Sequence, residues 1–352
     1  MYSIYFYRIF ETQMEIDLAL LERELPRSHS LSRSRFSRVK TKSILMDSPP
    51  LLVNLGSVSM DAGQEDSFQA QARIYDIGSI SICLIFNESL KEKTFIEDTA
   101  MAFAGQKGLT DTFTKLLNSL EEILKPALGS LEIDSNFYED YTIYQIKEAG
   151  QIADPVALLM GEKAAFSEQI RAQVMGNRLS YSQDDFALVT WDTALICDPE
   201  DPGDLRDLIE FANVQLLELR YYDSLLSKQM ENMYDDIEQA GSRPAYSRVG
   251  RYRRITSTSM RFIADITEVT EKIDNLIKIT EDIYYARVYQ ATLGVLRTDQ
   301  WRKSVNRKLQ VIQQNYSLLS NEVNIQHSNI LEWIIIILIA LEFALAILQF
   351  LR

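Results

Sequence analysis

The sequence predicts an α+β N-terminal domain over residues 1–200, a long antiparallel, coiled-coil-like helical hairpin over 201–329, and one C-terminal transmembrane helix over 330–352. Three observations predict it. Short apolar runs of period two crowd the first two hundred residues, a 4-3 apolar repeat takes over after Pro199 and Pro202, and Leu331 to Leu351 reads LEWIIIILIALEFALAILQFL. At about 1.5 Å per residue this last run spans roughly 31 Å, against a hydrocarbon core of about 30 Å.

Tyr2 to Phe10 alternates like a strand, and the pattern changes to a short helix near Met14 to Glu24. Residues 25–50 form a polar, basic connector ending in Pro49-Pro50, and Leu51 to Leu55 reads as the next strand. Phe68 to Phe86 contains two β-runs around a turn at Asp76 to Ser79, where Gly78 supplies the backbone freedom. Helical signals follow at Phe95 to Phe103 and at Thr110 to Leu124, with Pro126 expected to stop the second. Strand character returns at Phe137 to Ile146 and at Phe186 to Ile196, the latter around Thr190-Trp191-Asp192. Without regular βαβ spacing, helices are expected on one face of a mainly antiparallel sheet.

The hairpin is read from seams. Leu205, Ile209, Ala212, Leu216, Leu219, Leu226, Met230, Met233 and Ile237 keep a 4-3 repeat over a helix from about Asp204 to Gln239. A second helix is expected from about Ser257 toward the membrane, with Ile266, Val269, Ile273 and Leu276, then Val305, Leu309, Ile312, Tyr316, Leu319 and Val323. The register slips near Tyr284, and Gly294 or Asp299 is a point of interruption.

Fifty acidic against 36 basic residues give a net charge of −14, which repels nucleic acid and anionic lipid except where positive charge clusters. The N-terminus carries Arg8, Glu11, Glu15 and Asp17. It therefore lacks the apolar core of a secretory signal and the acid-poor character of a mitochondrial presequence. The expected location is a membrane, single-pass, with the N-terminal bulk in the cytoplasm and a bacterial inner membrane favoured over a mitochondrial one. Cys83 and Cys197, the two cysteines, sit inside strand-like runs and read as small buried hydrophobes.

Positive charge concentrates at the expected hairpin tip, 241–256, where Arg243, Arg248, Arg251, Arg253 and Arg254 interleave with Tyr246 and Tyr252. Arginine beside aromatic rings grips phosphate and stacks on bases or headgroups, so these are candidate anion-binding residues for RNA or anionic lipid. Against this stands a solvated loop whose arginines pair with the acidic body. The same two readings apply to Arg27, Arg33, Arg35, Arg38, Lys40 and Lys42 in the connector. Within the apolar run, Glu332, Glu342 and Gln349 fall on one helical face with Ala346, and a polar group at bilayer depth favours facing protein. Glu332, Trp333, Glu342, Ala346 and Gln349 are thus a candidate membrane and oligomer seam, with Trp333 as interfacial aromatic.

Catalytic signatures are missing: there is no phosphate-binding GxxxxGK[ST], no GxGxxG after a strand and no GxSxG elbow. His29 and His327 are the two histidines and lie far apart. Gly105-Gln106-Lys107-Gly108 reads as a plain turn rather than a nucleic-acid clamp. No cofactor, metal site or enzymatic activity is expected.

Leu331-Glu332-Trp333 followed by Ile334 to Ile339 and Glu342, preceded by Asn306-Arg307-Lys308-Leu309, resembles the C-terminal end of the required-for-meiotic-nuclear-division family. Ile74 to Ile80 is similar to that family's early strand–turn–strand. The resemblance implies a membrane-anchored, oligomerising protein without established enzymatic activity, with mitochondrial relatives implicated in organellar translation. The sequence therefore reads as a membrane-tethered, homo-oligomeric scaffold or interaction protein contacting the bilayer and, through its basic clusters, RNA, the ribosome or anionic lipid. The alternative is a membrane-tethered enzyme with a site of acids and tyrosines.

Overall fold

Seven of the ten residues of Tyr2–Glu11 are apolar or aromatic, and in the computed structural model this segment is β1, buried on both faces at the centre of a nine-stranded sheet. The structure describes residues 2–25, 31–33, 44–46, 48–59, 67–88, 96–129, 133–241, 245–275, 278–279 and 282–350. After β1 come α1 (Leu18–Glu24), β2 (Leu31–Arg33), β3 (Ile44–Leu45), β4 (Leu51–Ser59), β5 (Ser67–Ile74), β6 (Ser79–Glu88), α2 (Ile96–Ala102) and α3 (Thr110–Leu128). The chain continues through β7 (Tyr138–Ile146), α4 (Pro155–Met160), α5 (Glu168–Met175), β8 (Arg178–Leu179), β9 (Phe186–Val189) and β10 (Thr193–Cys197). It ends in α6 (Gly203–Gly241), α7 (Ala245–Asp274), β11 (Lys278–Ile279), α8 (Ile283–Val295) and α9 (Thr298–Phe350).

The strand order is β2-β4-β5-β6-β1-β7-β10-β9-β8, antiparallel throughout the described pairs except β7 with β10. The expected β5–β6 hairpin forms, with Tyr75 N–H bonded to Ser79 O at 2.9 Å. Gly78 there has φ 112°, and a Cβ would stand 2.6 Å from the Met14 carbonyl oxygen, so the turn tolerates only glycine. This contact also explains why α1 starts at Leu18 and not near Met14: Met14 is spent against the turn, and Asp17 caps the helix by accepting from Ala19 and Leu20 N–H at 3.0 Å each.

Cys83 and Cys197 are buried and unpaired with one another. Gly105 to Gly108 is a turn whose Gln106 is buried and donates to the carbonyls of Tyr7, at 2.9 Å, and Tyr141, at 3.2 Å. It fastens the α2–α3 connection to the β1–β7 pair.

Three expectations need correction. Pro126 does not stop α3, which runs to Leu128: its missing N–H falls in the last turn, and Gly129, at φ 73°, closes the helix by donating to Lys125 O at 2.9 Å. Helices cover both sheet faces. Ile4, Phe6, Phe68, Ile82 and Leu84 pack with residues of α1–α5 in one core, whereas Tyr75 meets Phe211 of α6 edge-on at 5.6 Å from the opposite face. The near-continuous apolarity of β1 is the signature of that double burial. Finally, the second long helix begins at Ala245 rather than Ser257, and it does not run unbroken to the C-terminal apolar segment: α7 ends at Asp274, and α8 and α9 are separate helices. Arg297, at φ 54°, makes the break between α8 and α9, where the sequence pointed to Gly294 or Asp299.

Contacts divide the chain into two units, one of Met1–Tyr221 with Thr270–Trp301 and one of Tyr222–Val269 with Arg302–Arg352. The first contains the sheet and the N-terminal half of α6, whose residues Leu208–Leu219 are buried all round. The second is wholly helical. In it Lys308 of α9 donates to the Asp223 carbonyl at 3.0 Å and to Ser227 at 2.6 Å, and Ser304 bonds Asp223 at 2.6 Å, so α9 runs alongside α6 in the same direction. Val305, Leu309, Ile312, Leu319 and Val323 are the buried stripe of α9, as the 4-3 repeat required.

Candidate functional site

The sheet face toward α6 is polar where a core is expected to be apolar. Asp207, Glu210 and Glu218 recur at helical spacing on one side of α6 and meet Arg73 of β5 and Ser79 of β6. Arg73 bonds Asp207 at 2.5 Å and also Glu210, and Tyr75 donates to Glu210 at 3.2 Å. Burial disfavours the charge on Arg73, yet the two acids outweigh it and hold its pKa well above the usual value. The acids shift up as well, because the cost of burial exceeds what one shared guanidinium returns to each. One arginine thus serves two buried carboxylates.

Next to this network lies a second acid pair. Glu11, at the end of β1, accepts from Gln13 N–H at 2.9 Å, and Glu218 accepts from Ser79 Oγ. The remaining oxygen of each is buried without an N–H or hydroxyl donor, and the two carboxyl groups are near enough for each to act on the other's titration. Burial raises both pKa values, Glu11 to about 7 and Glu218 well above its ordinary range, the latter helped by the neighbouring Glu11 charge.

Acids and tyrosines also gather in an open cleft of about 400 Å³ lined by Tyr181, Asp185, Asp198, Asp282, Tyr284 and others. Its carboxylates are engaged by backbone: Asp185 accepts from Tyr181 N–H at 2.7 Å, Asp198 from Glu200 N–H at 2.9 Å, and Asp282 caps α8 through Tyr284 and Tyr285 N–H. The rings of Tyr181 and Tyr284 meet at 5.6 Å, tilted by 51°. A larger cleft, about 680 Å³, lies between α5, the β9–β10 turn and the α8–α9 junction, with Trp191, Asn177 and Arg297 at its polar rim and Leu159, Met160 and Val174 below. Among the described residues no three His, Cys, Asp or Glu side chains are placed to hold a metal ion.

The arginines expected in a loop are helical. Arg248, Arg251, Arg253 and Arg254 stand in the first turns of α7, while Arg243 lies outside the described residues. Tyr252, Ile255 and Ser259 bury one side of this segment, and arginine is itself a good helix former, so Gly250 costs only about 1 kcal/mol in the interior. Arg251 pairs with Asp236 of α6, while Arg253 and Arg254 are exposed. In the connector, Arg33 makes a two-pronged pair with Glu22 at 2.8 Å and donates to Pro49 O at 2.9 Å; Arg27, Arg35, Arg38, Lys40 and Lys42 lie outside the described residues.

Glu332, Trp333, Glu342, Ala346 and Gln349 all lie on α9, an unbroken helix of 53 residues. Among the described residues one helix is long and apolar enough to cross a membrane by length and composition, and none of its apolar window is buried. The buried networks around Arg73 and Glu218 escape sequence reasoning, because strand and helix partners 134–139 residues apart carry no local signal.

Comparison with known proteins places the chain. Residues 1–204 match the family described as Uncharacterized protein MJ0711, N-terminal domain, and the chain belongs to that family. Uncharacterized protein MJ0711 of Methanocaldococcus jannaschii is 25% identical over 249 residues, covering 66% of this chain and 74% of the relative. No solved structure matches.

Proposed function

We propose that this member of the MJ0711 N-terminal-domain family is a membrane-anchored, oligomerising scaffold. The end of α9 crosses a bilayer, the bulk of the chain stays in the cytoplasm, and α6, α7 and α9 form a coiled-coil-like support. The observation that carries this reading is the contrast within α9. Val305 to Val323 bury a stripe, whereas Leu331 to Phe343 leave every large apolar side chain about half exposed or more. Each such side chain left in water forgoes about 1.5–3 kcal/mol, so a run of this length demands an apolar surround. Arg253 and Arg254 then offer exposed guanidinium groups to anionic lipid headgroups or RNA. The test is flotation of vesicles: the full chain should rise with lipid, and a chain lacking Leu331–Arg352 should stay in the dense fraction.

A second reading, a membrane-tethered enzyme, draws on the convergence of Tyr181, Tyr284 and the aspartates in one open cleft. Its test is substitution: Tyr181→Phe with Asp184→Asn, the latter at another carboxylate in the lining of that cleft, would abolish any turnover that a substrate screen detects while leaving the fold unchanged.

A further inference from the structure

Beyond its buried stripe, α9 carries a second one. Leu318 and Ile325 are 67% and 56% exposed, although both lie in the part of the helix that precedes the apolar run. They are seven residues apart, and the same step leads to Glu332, Ile339 and Ala346. Three residues on from each stand Asn321, Ser328, Ile335, Glu342 and Gln349. The two sets form one a/d stripe from Leu318 to Gln349, and no glycine or proline interrupts the helix between Thr298 and Phe350.

The stripe is distinct from the one that binds α6. Leu319, one residue from Leu318 and about 100° around the helix, is 8% exposed within the helical unit, and Asn321 and Ser328 on the outer stripe are exposed.

We infer that this outer stripe is the contact between copies of the chain, arranged in parallel and in register through both the aqueous and the apolar part of α9. Two features select a second copy over another partner. The stripe is continuous across the two environments, so its occupant must itself be a helix anchored at the same level, which an identical chain is. And the described polar members ahead of the apolar run are self-complementary: the amide of Asn321 and the hydroxyl of Ser328 each carry donor and acceptor, so each meets its own copy without an orphaned group. The sevenfold spacing requires a left-handed supercoil of the two helices. The inference rests on the anchored reading above.

Single cysteines test it on the full chain in membranes. Cys83 and Cys197 are buried, so the unmodified chain gives the background. Leu318→Cys and Ile325→Cys should form disulfide-linked dimers on mild oxidation several-fold more than Gln313→Cys and Asn324→Cys, which are exposed off the stripe. Equal yields at all four positions, or none above background, would overturn the seam. Flotation of the same samples reads the anchor independently, because positions 318 and 325 precede the apolar run. A protein that floats but does not cross-link loses the seam alone, and one that cross-links without floating loses the anchor and keeps the seam.

Discussion

Glu11 and Glu218 form a buried acid pair between the end of β1 and the middle of α6. Each keeps one oxygen on a protein donor, Gln13 N–H or Ser79 Oγ, and buries the other without a donor. Tyr221, Asp76 and Asp134 are the other titratable groups around them, and no cation among the described residues is in contact, so burial is left as the main force on the pair. A carboxyl whose folded pKa is raised binds its proton more tightly in the native state than in the unfolded one. Its favourable contribution is complete below the unfolded value near 4.5 and is lost as pH rises toward and through about 7. Stability of the natural chain should therefore fall between pH 5 and 8. Glu11→Gln, which keeps a donor for Glu218 without a titrating proton, should flatten that fall by on the order of 1–3 kcal/mol. Thermal melts across this range make the check; identical slopes would mean that Glu11 does not titrate with a raised pKa.

Arg73 holds two acids, and its loss leaves both uncompensated. Arg73→Ala should cost about 3–5 kcal/mol in urea unfolding, more than Asp207→Asn, since removing one partner of a buried pair strands the rest. Replacing Arg73, Asp207 and Glu210 together by apolar residues of similar volume should recover much of the loss. A single substitution without measurable cost would mean that water, not Arg73, solvates these carboxylates.

The basic segment of α7 is divided by its contacts. Arg253→Gln with Arg254→Gln should leave helicity unchanged and weaken binding to anionic liposomes or RNA, with a reduced salt dependence. Arg251→Gln should instead lose its pair with Asp236, worth no more than about 1 kcal/mol at this half-exposed site. Unchanged binding by the double variant at low and moderate salt would return these arginines to a solvated face.

Sequence patterns reached the elements that bury one kind of residue at one period. The alternation in Ser67–Ile74 and the 4-3 repeat of α9 are examples, each imposed by a single surface. They did not reach α4 and α5, although Asp154-Pro155 and Ser167 are helix-start signals, because α4 is apolar throughout and α5 buries only Val174, so neither shows a two-faced period. Nor could they place Leu318. The 4-3 repeat takes Leu319 and not Leu318, but it could not show that Leu318 faces out as an uncovered leucine; packing shows that. Leu319→Asp should accordingly unfold the helical unit, and Leu318→Asp should leave it folded while reducing assembly, as circular dichroism and native mass spectrometry would register. The polar layer under α6 was illegible for a different reason: Arg73 and Glu210 look like surface residues until the fold brings them together.

The anchor is tested most directly by alkaline carbonate extraction of membranes from cells making the full chain. Carbonate strips proteins held by charge or by partners and spares those that cross the bilayer. The full chain should remain in the pellet and the chain without Leu331–Arg352 should appear in the supernatant; release of the full chain would mean that α9 does not cross the bilayer.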